Sequence, residues 1–206
     1  MARLALNKAS LSRQTQQLKT YERFLPSLDL KRKQLLAERA KATAALARTE
    51  EALRPIDTLI AEQLPMVSNA EVDLTDLVRV ERVTVGDENI VGTHLPTLES
   101  VKLEVREYGF LGRPHWVDRV VRALRETLEL RIQMQVEQER LQLLEIAVRR
   151  ITQRVNLFEK VLVPRTRENI RQIRIYLSDS ERAAVVRAKI AKKKQQQART
   201  ASGVAG

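Results

Sequence analysis

An apolar residue returns at every seventh place near the start of the chain: Leu4, Leu11, Leu18 and Leu25, then Leu46, Leu53 and Ile60. A companion row falls three places later, at Tyr21, Leu28, Leu35, Ala42 and Ile56. Side chains seven apart share one stripe of a helix, and two such rows form the seam of a left-handed coiled coil. Residues 1–64 are therefore expected to form one long helix that needs a partner helix. Arg32 and Arg39 interrupt the first row, and Asn7, Gln14, Thr49 and Gln63 the second. Two outcomes stand open there. Buried polar seam residues fix register at some cost in stability, or the seam opens and the arginines carry their heads to water.

The partner lies near the other terminus, in residues 115–197. Leu141, Leu144, Val148, Ile151, Val155, Phe158 and Leu162 alternate steps of three and four. The seven-step from Leu162 then leads to Asn169 and Tyr176, but the apolar residues are Ile170, Ile173 and Leu177, one place later. Pro164 lies inside the slip. A proline in a helix interior costs roughly 3 kcal/mol. Because the seam resumes, the helix is expected to run on, kinked near Pro164. Residues 198–206 close a Gln-, Ala- and Gly-containing tail that is expected to be disordered.

Between the two seams, residues 65–114 lack heptads. Val78 to Val85 is valine-rich with partial alternation, Gly86-Asp87-Glu88-Asn89 reads as a turn, and Ile90 to Leu95 is a second short run closed by Pro96. That pattern predicts a small β-hairpin at about 77–95. An isolated hairpin is marginal in water, so it must pack on the helices or on a partner. The fold class expected is mainly α: a long antiparallel two-helix coiled coil with a β-hairpin insert in the middle. At 1.5 Å per residue the helices would be roughly 90 and roughly 120 Å long. The termini would share one end, with Pro26 and Pro164 within a few turns of each other.

Composition agrees. Aromatic residues are 3% of the chain, too few for a compact core of this length. There is no cysteine, which removes disulfides and thiolate metal sites. No apolar run approaches a membrane span, and the N-terminus carries no leader pattern, so a soluble, cytoplasmic protein is expected. The net charge is +11, yet residues 57–107 hold eleven acids and four bases, a net of −7. The middle is acidic and both ends are basic, which points to different partners at different ends.

Chemistry-bearing motifs are absent. No glycine precedes a Lys-Ser or Lys-Thr pair, no serine sits in a Gly-x-Ser-x-Gly elbow, and Glu50-Glu51 point apart on a helix. His94 and His115 have no second histidine at ligand spacing and read as structural or surface residues. No catalytic, cofactor or metal site is expected, and the chain is not expected to be an enzyme. Arg165, Arg167, Arg171 and Arg174 follow the proline, and Arg187, Lys189, Lys192, Lys193 and Lys194 come later. Such runs bind phosphate non-specifically. Few aromatics are present for base stacking and no base-reading motif occurs, so a basic nucleic-acid-associated protein is the alternative reading, beside a coiled-coil scaffold.

The run Arg149-Arg150-Ile151-Thr152-Gln153-Arg154-Val155-Asn156-Leu157-Phe158-Glu159-Lys160-Val161-Leu162-Val163-Pro164-Arg165 closely resembles the C-terminal signature of the D subunit of V-type and archaeal-type rotary ATPases. Ile170, Ile173, Leu177 and Glu181-Arg182 continue it. Leu6-Asn7-Lys8, Asp29-Leu30-Lys31-Arg32-Lys33-Gln34-Leu35, Asn89-Ile90-Val91-Gly92 and Glu107-Tyr108-Gly109-Phe110 are similar to further motifs of that family, in the same order. Lys8 departs from the family's usual proline, and the acidic middle looks shorter than in many members. The resemblance implies a non-catalytic central rotor shaft of an ATPase or ATP synthase, peripheral to the membrane. Its terminal helices would enter the ring of catalytic A and B subunits. Its lower part would carry the small stalk protein of the complex, the F subunit, and sit in the socket (C/d) subunit above the membrane ring. On that reading Arg165, Arg167, Arg171 and Arg174 face the catalytic head, and no specific nucleic acid is bound.

Overall fold

The computed structural model describes residues 4–63, 77–106 and 116–202. The chain is mainly helical. In order it contains α1 (Lys8–Gln63), β1 (Val78–Ile90), β2 (Thr93–Val105), α2 (Trp116–Asn156), a π-helical turn (Leu157–Leu162) and α3 (Val163–Ser202). It divides into two compact units, one of residues 1–29 with 153–206 and one of residues 30–152. Glu107 to Phe110 and His115 lie outside the described residues, as does the side chain of Ile60.

In the first unit, Asn7 starts α1. Its Oδ1 accepts from the Ser10 N–H at 2.7 Å, and its carbonyl accepts from the Leu11 N–H at 3.0 Å. That is an N-cap, satisfying a donor that the first helical turn leaves without a partner. The early part of α1 runs antiparallel to α3. Lys8 meets Glu181 at 3.8 Å, Gln14 Oε1 accepts from Asn169 Nδ2 at 3.3 Å, and Glu22 meets Arg167 at 2.8 Å. Tyr21 and Phe158 stack edge to face, with centroids 5.4 Å apart. Gln14, which interrupts the heptad row, thus finds a polar partner across the seam.

The π-helical turn explains the slip. The Val163 N–H donates to the Phe158 carbonyl, five residues back. Phe158 and Val163 therefore stack on one face, and the inward series runs Val155, Phe158, Val163, Thr166, Ile170, Ile173, Leu177. One step of five stands among steps of three and four. Val163 is 9% exposed, while Leu162, the residue expected in the seam, is half-buried. The ladder cannot extend past Val163, because Pro164 has no N–H. Just before Pro164, the place of the expected kink, the chain has a one-residue insertion, a known way for a helix to change phase. α3 also continues to Ser202, past Gln197 and into the tail expected to be disordered; residues 203–206 lie outside the described residues.

In the second unit, Leu35, Ala42, Leu53 and Ile56 of α1 and Leu144, Val148 and Ile151 of α2 are buried. Thr49, 4% exposed, donates from Oγ1 to Glu137 Oε2 at 2.8 Å, and Gln133 donates to the other carboxylate oxygen at 2.9 Å. Arg39 is exposed and Arg32 half-buried. Of the two outcomes left open for the polar seam residues, both occur: Thr49 is buried and paired, and Arg39 turns to water.

The hairpin is longer than 77–95, and its turn lies elsewhere. β1 and β2 pair antiparallel from Val78↔Val105 to Ile90↔Thr93, so the loop is Val91-Gly92. Gly86-Asp87-Glu88-Asn89, read as the turn, is strand: Gly86 faces Thr97 and Asp87 faces Pro96. The Glu99 carboxylate folds over Gly86, into the space a Cβ would take, and Gly86 keeps strand pairing instead of bending the chain. Val91 and Gly92 have φ of +56° and +82°. Positive φ at both central residues matches the twist of the strands, but a β-branched side chain is a genuine outlier there. Replacing Val91 by Asn is expected to stabilise the chain by about 1 kcal/mol, since Asn tolerates this conformation. Urea unfolding checks it, and a variant less stable than the parent would show that the Val91 side chain holds the turn by packing.

Candidate functional site: the basic helix and the docked hairpin

The four arginines after Pro164 are all exposed, but α3 does not present them together. Arg167, Arg171 and Arg174 follow steps of four and three and share one flank of the helix, beside the seam. Arg165 projects from the opposite flank. Arg167 spans the seam to Glu22, and Arg171 lies 4.0 Å from Glu168 one turn earlier. Arg174 lines an open cleft with Lys8, Lys19 and Glu181. The expected band is therefore a split one, with cations on both sides of the seam.

Sequence reasoning missed a second feature of α3. From residue 178 to 197 every residue is exposed, including Val185, Val186 and Ile190 at 55%, 55% and 52%. Among the described residues, the last ion pair between α1 and α3 is that of Lys8 with Glu181. Beyond it, the helix carries Arg187, Lys189, Lys192, Lys193 and Lys194 together with unburied valines and isoleucine. The sign was present in the sequence: the heptad apolar residues end at Leu177 while a helix-favouring composition continues.

The seam residues differ in depth. Leu35, Leu144, Val148, Ile151, Val155, Ile170 and Ile173 are buried; Leu11, Leu18, Leu25, Leu28, Phe158, Leu162 and Leu177 are half-buried. Two helices in contact cover only one side of each other's side chains.

The hairpin docks on its own unit at two places. Near its open end, Leu77, Val117 and Val121 form an apolar cluster with Val78 and Val105 around it. Nearer the turn, Arg140 of α2 donates to Glu88 Oε2 at 2.7 Å, to Thr97 Oγ1 at 3.1 Å and to the Pro96 carbonyl at 3.3 Å. Its side chain is 19% exposed, and Leu95 on β2 is fully buried. Pro96 has no N–H to give a strand ladder, but its carbonyl is free to accept Arg140. No local signal marks Arg140, because its partners lie 43 to 52 positions away in sequence. His94, at the hairpin end, sits 2.6 Å from Asp87, exposed. Val80, Val83 and Val85 of β1 are exposed apolar residues.

A cleft of about 480 Å³ lies between the hairpin and the helices of this unit. Its charged lining is already engaged: Lys41 with Glu38 at 2.6 Å, Arg140 with Glu88, and Glu137 with Thr49 and Gln133. Among the described residues, no group of three or more His, Cys, Asp or Glu could hold a metal ion, and no helix is long and apolar enough to cross a membrane. What the arrangement offers is surface: a bare basic helix end, arginines flanking a seam, and a hairpin held against helices.

Known proteins are similar to this chain over nearly its whole length. The family model described as the ATP synthase D subunit matches residues 10–193. A V-type ATP synthase D subunit of Borreliella burgdorferi is 33% identical over 199 residues, covering 93% of this chain and 95% of that protein. A V-type ATP synthase D subunit of Chlamydia muridarum is 35% identical over 201 residues, covering 95% and 98%.

Proposed function

The chain belongs to the family of ATP synthase D subunits, and from that premise we propose that it is the central stalk of a V-type rotary ATPase. In this reading it is a rotor shaft that couples ATP hydrolysis or synthesis in the catalytic head to ion translocation by the membrane ring, and catalyses nothing itself. The observation that carries the reading is the unbroken family match from the first turns of α1 to the basic end of α3.

Each part then has a task. The bare stretch 178–197 enters the ring of catalytic A and B subunits, where its exposed Val185, Val186 and Ile190 meet an apolar sleeve and its lysines an acidic rim. Arg165, Arg171 and Arg174 steer and orient that entry, because rim charges act on encounter more than on final affinity. Seam packing supplies stiffness. The small F subunit of the stalk and the socket subunit bind elsewhere on the chain, and the hairpin is a second contact that modulates activity.

The test is co-purification of the tagged chain from its own cells; recovery without A, B and F subunits would sink the reading. A finer test replaces Arg165, Arg171 and Arg174 by Glu, sparing Arg167 because it holds Glu22. Association with the A and B subunits is expected to weaken by roughly tenfold at low salt, the deficit shrinking as salt screens it, with helical content unchanged. Unaltered association and ATPase activity would remove the arginines from the interface.

A further inference from the structure

We propose that the π-helical turn Leu157–Leu162 is a hinge in the C-terminal helix, a turn that opens ahead of the helix on either side of it. The helix is closed against α1 before and after it: Val155 is 2% exposed, Ile170 6% and Ile173 0%. Inside the turn no residue is buried. Phe158 reaches α1 through the ring of Tyr21. Glu159 and Lys160 point outward, and among the described residues no hydrogen bond or ion pair holds either side chain.

The backbone is weak at the same place. The five-residue ladder ends at Val163, since Pro164 cannot supply the next N–H to the Glu159 carbonyl. The Leu162 carbonyl accepts the Thr166 hydroxyl at 2.7 Å. The same Thr-to-carbonyl bond occurs in ordinary α-helix at Thr15, Thr20, Thr43 and Thr127, so it does not by itself mark this turn. A wider turn, a missing rung and an unburied outer face thus coincide within eight residues. A bend or twist applied along this helix is taken up here, while the buried seams on both sides keep their contacts.

The extra residue is also removable. Deleting Lys160 turns the five-residue step from Phe158 to Val163 into a four-residue α-helical step and leaves both seams in phase. This inference stands on backbone geometry and holds whether or not the chain is a shaft, so its test uses the full chain alone. In native-state hydrogen exchange, the amides of residues 161–163 are expected to exchange at least about tenfold faster than those of 148–155 and 170–177. The Lys160 deletion is expected to keep its helical content and to narrow that difference by at least about threefold, the remainder being what Pro164 alone leaves open. Equal protection across the three stretches in the parent chain would overturn the hinge. So would a fast patch that survives the deletion undiminished, because it would then owe nothing to the π turn. A deletion variant that lost its helical content would overturn it too, by showing that the seam requires the extra residue.

Discussion

Replacing Leu144 by Ala is expected to destabilise the chain by about 2 to 3 kcal/mol, the low part of the usual range for a buried leucine. Leu144 is fully buried in the seam of the second unit. Its removal loses transfer free energy and leaves a void that the two helices cannot fill without moving their backbones. A two-helix seam is close to water, so the void is shallow, which keeps the cost below that of a globular core. Ile146, two places on and 46% exposed, is the control. Ile146→Ala is expected to change stability by under about 0.5 kcal/mol, because little apolar area is lost and alanine favours the helix. Urea unfolding followed by circular dichroism reads both. Equal costs at the two sites would mean that the seam does not carry the stability of the unit.

Replacing Arg140 by Ala is expected to cost about 2 kcal/mol and to release the turn end of the hairpin. Hydrogen bonds to a charged group contribute about 1.5 to 3 kcal/mol. The value is taken below the top because Glu88 is 50% exposed and its share of the ion pair is screened. Two readouts separate a latch from a general loss of stability. Hydrogen exchange should rise in the strands near Glu88 and Leu95 but not around Leu77 and Val117. A double-mutant cycle with Glu88→Gln should show a coupling of about 1 kcal/mol. A cost under about 0.5 kcal/mol would mean that buried Leu95 alone holds the hairpin down. In the assembled complex the same variant asks whether a released hairpin changes ATPase activity, as the proposed modulatory contact requires.

Elements differ in how far they can be read without coordinates. The seams are legible because heptad periodicity is a local property: each residue's place on the helix follows from its neighbours alone. Even the phase slip after Phe158 shows in the spacing of Ile170, Ile173 and Leu177. The hairpin is legible in kind but misplaced at its turn. Gly86-Asp87-Glu88-Asn89 has strong turn chemistry, and Val91-Gly92 has a valine where a turn rarely tolerates one. The choice between them goes with contacts across the hairpin and to α2: Glu99 folded over Gly86, Leu95 buried, and Arg140 reaching Glu88, Thr97 and Pro96. The arginines after Pro164 group together as a run of letters, yet helical geometry alone puts Arg165 on the other flank.

By itself, then, the sequence determines that this chain forms two long helices with apolar seams, a β-hairpin between them, basic ends and an acidic middle. All of that rests on periodicity and charge, which act over a few residues. Only the tertiary structure decides where the hairpin turns, which polar seam residues pair, and how the helix absorbs its extra residue before Pro164. Those outcomes depend on contacts such as Thr49 with Glu137, Arg140 with Glu88 and Tyr21 with Phe158, between residues 52 to 137 positions apart, and no local preference encodes such a meeting.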